Sequence, residues 1–187
     1  SDITIVTGYK SDVLVSYLGD DYNYVHNELY EQTNMLYSFW LALKNLEEVD
    51  VIVSYTDILY STQIFDSAFS QNCMLNIISI ENWKEVWETR FTNPLDDLES
   101  FKVSDGRITE IGSRVSNLNE IQGQYSGIFF IPRSSLFSVQ KIIDSLPEKT
   151  RMRWSMTEFF RYLIDQGYQL SSITDNFDWF EFDCLND

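Results

Sequence analysis

The sequence predicts an α/β fold with a mixed, mainly parallel sheet, and three observations support this. Short β-branched segments alternate with segments of helical apolar spacing through the first half of the chain, as they do in parallel sheets. In the middle, Asp105-Gly106 separates two segments of alternating polarity, which is typical of an antiparallel hairpin. The 187 residues, 44% of them hydrophobic, suffice for a substantial core. We therefore expect residues 1–187 to form a single domain.

The elements of the first half follow from helix caps and β-branched runs. Ser11 and Asp12 can cap one helix and Thr33-Asn34 a second, because their side-chain oxygens accept hydrogen bonds from free N–H groups. The run at 50–54 is β-branched and apolar enough for a central parallel strand. In order, the first half predicts a strand at 3–7, a helix at 11–18, a strand at 22–26, a helix at 34–46, a strand at 50–54, a helix at 62–69 and a strand at 75–80.

The second half predicts the hairpin, two helices and further strands. The apolar residues at 155–166 are too widely spread for one narrow stripe, which indicates a well-buried helix, and Gly167 is placed to end it. In order, the second half predicts strands at 99–103, 107–111 and 127–131, helices at 134–145 and 155–166, and strands at 169–173 and 179–182. The sum is a Rossmann-like three-layer α/β/α sandwich whose mainly parallel sheet carries a small antiparallel insertion.

The composition excludes several classes of partner. Thirteen basic and 29 acidic residues give a formal charge of −16, which repels nucleic-acid backbones and anionic membrane surfaces. We expect no nucleic-acid partner and no membrane partner. Cys73 and Cys184 are too few for a disulfide framework, and the single His26 cannot build a histidine metal cluster. A cytoplasmic location is the prediction that follows.

Two acidic residues lie where predicted strands end. Asp57 follows the run at 51–56, and Asp183 closes the run at 179–183. Ligands bind at the carboxyl edge of α/β sheets, and two carboxylates that converge there can hold a divalent cation against phosphate groups. This pattern points to phosphoryl or nucleotidyl transfer. The alternative is that each is a solvated turn acid, since the chain has 29 acidic residues.

Several short strings, taken in their order and separation, resemble one enzyme family. It is the family of nucleotidyltransferases that activate phosphorylated small molecules with a nucleoside triphosphate, particularly the branch similar to bacterial choline-phosphate cytidylyltransferases. The strings cover nearly the whole chain. They are Val6-Thr7-Gly8-Tyr9-Lys10, Thr33-Asn34-Met35-Leu36-Tyr37-Ser38, Tyr55-Thr56-Asp57-Ile58-Leu59, Trp83 through Trp87 to Arg90, Ile121-Gln122-Gly123-Gln124-Tyr125-Ser126-Gly127, Met156-Thr157 and Trp179-Phe180-Glu181-Phe182-Asp183.

The resemblance implies a reaction and a cofactor. A phosphate oxygen of the acceptor attacks the α-phosphorus of the nucleoside triphosphate, and pyrophosphate leaves. Such transfer depends on in-line positioning and on a cation, Mg²⁺ in this family, that neutralises charge on the phosphates. CTP is the favoured nucleotide, and the acceptor is a choline phosphate-like molecule, a phosphonate or a sugar phosphate.

The same resemblance implies site residues. The catalytic metal ligands are Asp57 and Asp183, and the substrate-binding candidates are Asn34, Ser38, Arg90, Tyr125, Trp179 and Glu181.

Each site residue also has a structural explanation. Asn34 can simply cap its helix, Arg90 can form a surface salt bridge instead of binding a phosphate, and Trp179 can pack in the core instead of serving as a binding platform. Trp83 and Trp87, with Tyr125, can form an aromatic wall for a quaternary ammonium, and core packing is the alternative for all three. Glu181 lies two residues before Asp183, so it can share or take the metal.

The family's glycine-rich phosphate loop does not occur in the sequence. Members carry that loop after a first strand that is central to the sheet, and this chain begins at the family's second strand. We therefore expect an N-terminally incomplete domain with impaired activity, completed by a missing N-terminal segment or by a homodimer partner. The alternative is a catalytically inert α/β module that binds a nucleotide-linked ligand. A metal-dependent glycosyltransferase is disfavoured, because no second acid lies two residues before Asp57.

Overall fold

The computed structural model describes residues 2–66, 69–175 and 178–182. Two compact units can be distinguished: residues 1–49 with 136–159, and residues 50–135 with 160–187. The prediction that residues 1–187 form one domain stays a prediction. Within the described ranges, no helix combines the length and the apolar character that crossing a bilayer requires.

Strands and helices alternate at the start of the described chain, and runs of two or three strands or helices follow. The strands are β1 (Thr4–Thr7), β2 (Asn23–His26), β3 (Val51–Ser54), β4 (Ile58–Tyr60), β5 (Leu75–Ile80), β6 (Glu99–Ser104), β7 (Arg107–Arg114), β8 (Gln124–Ile131), β9 (Leu170–Asp175) and β10 (Trp179–Glu181). The helices are α1 (Ser11–Leu18), α2 (Met35–Leu43), α3 (Trp83–Arg90), α4 (Arg133–Ser145), α5 (Glu148–Arg153) and α6 (Met156–Asp165).

The first unit contains the parallel pair β1–β2 and helix α2. The predicted cap of α2 is confirmed, because the Asn34 carboxamide oxygen accepts the Met35 N–H at 2.7 Å. The predicted cap of α1 is wrong: Lys10 precedes that helix in the left-handed conformation with φ 49°, and no side chain caps it. The Ser11 hydroxyl donates instead to the Thr7 hydroxyl at 2.9 Å, a bond that fixes the turn after β1.

The second unit contains a six-stranded sheet with the order β3-β8-β5-β9-β7-β6. The pairing of β5 with β9 is parallel, while β8 and β7 run antiparallel to both of their neighbours. Four of the six strands consequently point in one direction, and β7 and β8 point in the other. The predicted mixed sheet is therefore observed, with the predicted antiparallel hairpin β6–β7 at one side.

The turn of that hairpin follows its sequence. Asp105 and Gly106 have φ of 51° and 74°, the pair of positive angles that a tight type I′ turn requires. Gly167 has φ 83° after α6, as predicted for a residue that ends a helix. These two turns are decided locally, which explains why the sequence was sufficient to place them.

The core of the second unit lies around β5 and β8. All six residues of β5 are buried, as are the last six of β8. A cluster rich in tryptophan packs beside them, and its buried members are Ile64, Ile78, Ile80, Trp83, Trp87, Leu98, Ile121, Ile128 and Trp179.

Strand β4 and helices α3 and α5 were not predicted from the sequence, and two further elements differ from the expectation. Strand β3 was predicted to be central and parallel, but it ends the order of the six-stranded sheet and pairs antiparallel with β8. Its Ile52 is 43% exposed. β-Branched composition favours a strand but does not select its neighbours, because long-range pairing decides which strands lie side by side.

The helix predicted at 62–69 is a 3₁₀ turn over Thr62–Asp66, and residues 67–68 lie outside the described chain. Helix α5 has a polar sequence without an apolar stripe, so periodicity did not indicate it.

Candidate functional site

Strands β4 and β10 form a two-stranded antiparallel ribbon beside Asp57. Phe180 lies opposite Leu59 and Glu181 opposite Ile58. The pairing continues one residue further, because the Phe182 N–H donates to the Asp57 carbonyl oxygen at 2.9 Å. We call residues 57–60 with 179–182 the β4–β10 ribbon. It places Asp57 directly opposite Phe182, the residue that precedes Asp183 in the sequence.

Of the two predicted metal ligands, Asp57 lies within the described residues and Asp183 does not. The Asp57 side chain is exposed at the end of the ribbon. Asp183 lies outside the described residues. Among the side chains that are described, no group of three or more His, Cys, Asp or Glu is arranged to hold a metal. Mg²⁺ usually takes one or two carboxylates together with phosphate oxygens and water, so an exposed carboxylate such as Asp57 fits a magnesium–nucleotide complex.

Two tyrosines pack together under the end of β3. The rings of Tyr55 and Tyr125 meet edge to face with centroids 5.7 Å apart. Gly127 makes room for them: its φ is 81°, and a Cβ there would lie 3.2 Å from the Tyr55 ring. The Tyr55 N–H also donates to the Gly127 carbonyl at 3.0 Å. Sequence reasoning had not selected Tyr55, although it stands two residues before Asp57.

Burial and nearby acidic side chains affect the hydroxyl groups of this tyrosine pair. Burial raises the pKa of both hydroxyls far above the usual value, and the carboxylates of Asp57, Glu99 and Glu181 raise the pKa of Tyr55 further. Within the described chain, the buried Tyr125 hydroxyl has no hydrogen-bond partner of good geometry, and the Tyr55 hydroxyl is its polar neighbour. Both tyrosines therefore stay neutral, chiefly because burial disfavours the charged form.

Arg90 forms a largely buried ion pair. Its Nη1 donates to Oε2 of Glu181 at 2.7 Å, and the two side chains are 8% and 19% exposed. The guanidinium also lies 5.1 Å from the Phe91 ring centroid and 5.7 Å from that of Trp87. The salt bridge envisaged for Arg90 on sequence grounds was a surface one, whereas this pair is enclosed. Contact of Arg90 or Glu181 with a substrate stays a prediction.

Trp179 packs against Trp87 in the tryptophan-rich cluster. The two indoles are stacked with centroids 5.7 Å apart and an angle of 6° between their planes. The Trp179 N–H donates to the Ser126 carbonyl at 2.9 Å, and the Trp87 N–H donates to Asp97 Oδ2 at 2.8 Å. Trp179 is only 3% exposed. Its position is that of a packing residue, and a substrate contact by Trp179 stays a prediction.

Asn34 and Ser38 belong to the first unit. Besides capping α2, the Asn34 carboxamide donates to the Arg153 carbonyl at 3.2 Å. The Ser38 hydroxyl accepts from Nδ2 of Asn27 at 3.1 Å, and Asn27 also bonds Thr33 at 2.9 Å. Asn27 is almost completely buried, and its place directly after β2 is the signal that could have identified it. Substrate binding by Asn34 and Ser38 stays a prediction.

Comparison with known proteins decides the family. The CTP:phosphoglutamine cytidylyltransferase of Campylobacter jejuni is 32% identical to this chain over 200 aligned positions, which span 100% of the chain and 79% of that enzyme. The chain belongs to the nucleotidyltransferase family. The resemblance drawn from the seven strings is thereby confirmed. No protein-family model matches the chain.

Solved nucleotidyltransferases share the fold. The inositol-1-phosphate CTP transferase of T. maritima superimposes with a TM-score of 0.74 at 18% identity, covering 97% of this chain and 70% of that one. A putative glucose-1-phosphate thymidylyltransferase of Bacillus anthracis gives 0.72 at 15% identity, covering 96% and 70%. At such identities the likeness concerns the fold alone, and it confirms the predicted α/β class.

Proposed function

We propose that this nucleotidyltransferase is a cytidylyltransferase, which transfers CMP from CTP to a phosphorylated small molecule. In the step, an acceptor phosphate oxygen forms a bond to the α-phosphorus of CTP, the bond from that phosphorus to the bridging oxygen breaks, and pyrophosphate leaves. The observation that carries the proposal is the 32% identity, along the whole chain, to an enzyme named for CTP and phosphoglutamine.

The acidic surroundings of Tyr55 support an acceptor that carries an ammonium group. The carboxylates of Asp57, Glu99 and Glu181 raise the pKa of this tyrosine, and Arg90 balances the charge of Glu181. A cationic group is attracted to such a site, whereas an uncharged sugar ring gains nothing from it. Phosphoglutamine and choline phosphate both combine a phosphoryl group with an ammonium. We therefore favour phosphorylated amines and amino acids over sugar phosphates.

The proposed roles of the residues follow from their chemistry. Asp57 and Asp183 hold Mg²⁺, which when bound neutralises negative charge on the triphosphate. Asn34 and Ser38 at the start of α2 contact substrate or nucleotide. Tyr125 and Trp179 contribute to the wall of the acceptor site, and Arg90 and Glu181 border it. The proposed cytoplasmic location rests on the cysteine usage.

The test is pyrophosphate release by the full gene product with Mg²⁺. Each of the four nucleoside triphosphates is paired with phosphoglutamine, choline phosphate, inositol 1-phosphate and glucose 1-phosphate. We expect release with CTP and a phosphorylated amine or amino acid, and little with the other combinations. Absence of release from every pair would refute the enzyme and leave the inert binding module. Calorimetry with CTP and CDP-linked compounds then tests that module, which should bind without metal and without turnover.

A further inference from the structure

Asn27 is a buried polar residue at the carboxyl end of the parallel pair β1–β2. It follows β2 directly and is 2% exposed. Its N–H donates to the Thr7 carbonyl at 2.8 Å, and its carbonyl accepts the Tyr30 N–H at 3.3 Å. Ligands of α/β folds bind outside the carboxyl ends of the strands. Because a buried amide is costly unless it is hydrogen-bonded, the side chain of Asn27 needs partners as well.

The hydrogen bonds of the Asn27 side chain fix the direction of its carboxamide. The carboxamide oxygen accepts the Leu29 N–H at 3.0 Å, and a backbone N–H can only donate, so the oxygen must lie on that side. The NH₂ group consequently faces two hydroxyl groups, Thr33 Oγ1 at 2.9 Å and Ser38 Oγ at 3.1 Å. Both protons of the NH₂ group are used by these bonds, and each hydroxyl oxygen accepts one of them.

The two hydroxyl groups differ in where their own protons go. Thr33 Oγ1 donates to the Leu29 carbonyl at 2.8 Å, so its proton is used within the same loop. Among the residues that the structure describes, no group accepts the proton of Ser38. Ser38 is half-buried on α2, one turn after Asn34. Since Asn27 donates to its oxygen, the Ser38 hydroxyl keeps its proton for a partner outside the protein.

We propose that Asn27 is a positioning residue that holds the Ser38 hydroxyl as a hydrogen-bond donor toward the substrate or nucleotide. The ligand atom that fits this donor is an acceptor, such as a phosphate oxygen, a carbonyl oxygen or an unprotonated ring nitrogen. Asn27 does not touch the ligand, because it is buried behind Ser38. The inference rests on the proposed function only for the presence of a ligand at the start of α2.

Asn27→Asp reverses the direction of these hydrogen bonds with almost no change of shape. One carboxylate oxygen still accepts the Leu29 N–H, but the other can only accept, so the Ser38 hydroxyl must donate to it. The Ser38 proton is then withdrawn from the ligand. Pyrophosphate release is measured with CTP and the acceptor varied in turn. The KM of the ligand that Ser38 contacts should rise about tenfold with little change in kcat, because a binding contact is lost while the reacting groups stay in place.

Ser38→Ala removes the donor itself and shows whether the two residues act as one. The KM of the same ligand should rise by a similar factor, and Asn27→Asp/Ser38→Ala should raise it no further, because both changes remove one and the same contact. If Asn27→Asp does not fold, Asn27→Ala replaces it in the single and the double variant with the same expectation. Factors that multiply in the double variant would overturn the positioning role, since Asn27 would then affect binding independently of Ser38.

Thr33→Val is the matched control for a purely structural role of Asn27. It keeps the shape of Thr33 and removes the other hydroxyl that Asn27 bonds, while the bond from Asn27 to Ser38 stays. Urea unfolding should show a loss of stability in Thr33→Val, as in Asn27→Asp, but both KM values should keep their wild-type size. A KM that rises equally in Thr33→Val contradicts the positioning role, because any damage to this loop would then weaken binding.

Calorimetry separates a failure of the positioning role from a failure of the proposed function. CTP with Mg²⁺ and CDP-choline are each titrated into wild-type, Asn27→Asp and Ser38→Ala protein, so binding is measured without turnover. Wild-type binding that weakens about tenfold in both variants supports the positioning role even if no pyrophosphate is released. Normal pyrophosphate release with unchanged KM values in Ser38→Ala overturns the positioning role and leaves the proposed function intact. Wild-type protein that neither binds these compounds nor releases pyrophosphate overturns both.

Discussion

Asp57 carries the sharpest functional prediction at the scale of single residues. Its carboxylate is exposed at the end of the ribbon, and its backbone is fixed by Phe182. Replacement by Asn removes the negative charge and keeps the shape, so Asp57→Asn should lower kcat/KM by on the order of 100-fold or more, because a cation ligand is lost.

The measurement is the rate of pyrophosphate release as Mg²⁺ is varied, with Asp165→Asn as the control. Asp165 is an exposed acid at the end of α6. The control should keep the wild-type rate and metal requirement. An Asp57→Asn enzyme with both unchanged would show that Asp57 is an ordinary turn acid, which is the alternative that the sequence left open.

Gly127 allows a prediction about packing, with Gly167 as a matched control. Their φ angles are 81° and 83°, but a Cβ on Gly127 would meet Tyr55 and Ile58, whereas nothing lies within 4 Å of a Cβ on Gly167. Gly167→Ala should cost about 1 kcal/mol of unfolding free energy, from the left-handed conformation alone. Gly127→Ala should cost about 2–4 kcal/mol, because the tyrosine must also move. Urea unfolding measures the unfolding free energy of both variants. Equal losses of stability would show that Tyr55 moves aside at no cost.

Tyr125 gives a prediction about alkaline pH. Burial raises its folded-state pKa above the unfolded value near 10. The stability from the neutral hydroxyl is fully present below the unfolded value and is lost as pH rises beyond it, at up to about 1.4 kcal/mol per pH unit. Tyr125→Phe should therefore reduce the decline in unfolding free energy between about pH 10 and pH 11. Tyr17→Phe changes a highly exposed tyrosine and should leave that decline as it is.

At the scale of elements, helix α2 offers a way to separate capping from substrate binding. Asn34 accepts the Met35 N–H and donates to the Arg153 carbonyl. Asn34→Ala removes both bonds and should destabilise the protein by about 1 kcal/mol. Asn34→Asp keeps the capping oxygen and loses only the donor to the Arg153 carbonyl, so it should recover part of that loss. If Asn34 also contacts substrate, the KM for CTP or for the acceptor will rise in Asn34→Asp although the cap is kept; an unchanged KM for both indicates a cap alone.

Elements whose position depends on neighbouring residues were predicted well. Elements whose position depends on distant contacts were not predicted. The hairpin β6–β7 and the end of α6 each depend on a glycine and its immediate neighbours. Helix α3 contains Trp83 and Trp87 at helical spacing, a signal present in the sequence but assigned only to a possible binding wall. Strand β3 has the composition of a central strand and the position of an edge strand in its sheet, because partner choice depends on β8, more than 70 residues away.

For the molecule as a whole, the net charge of −16 predicts a dependence on salt. Like charges repel in the compact state, and the screening length falls from roughly 30 Å at 0.01 M to about 10 Å at 0.1 M ionic strength. Added NaCl up to about 0.5 M should raise the unfolding free energy by on the order of 1 kcal/mol. Urea unfolding at several NaCl concentrations checks this. A steady fall with salt would mean that attractive pairs such as Arg90–Glu181 outweigh the net repulsion.

The sequence by itself determined the α/β class, most of the strands and helices, and the family, because periodicity, caps, turns and short strings are properties of neighbouring residues. It also selected Asp57. Only the tertiary structure decided that Arg90 is enclosed with Glu181, that Trp179 stacks on Trp87, and that Tyr55 and Tyr125 meet over Gly127. These contacts join residues between 70 and 92 positions apart. Their burial depends on how whole elements pack, which no local pattern in the chain specifies.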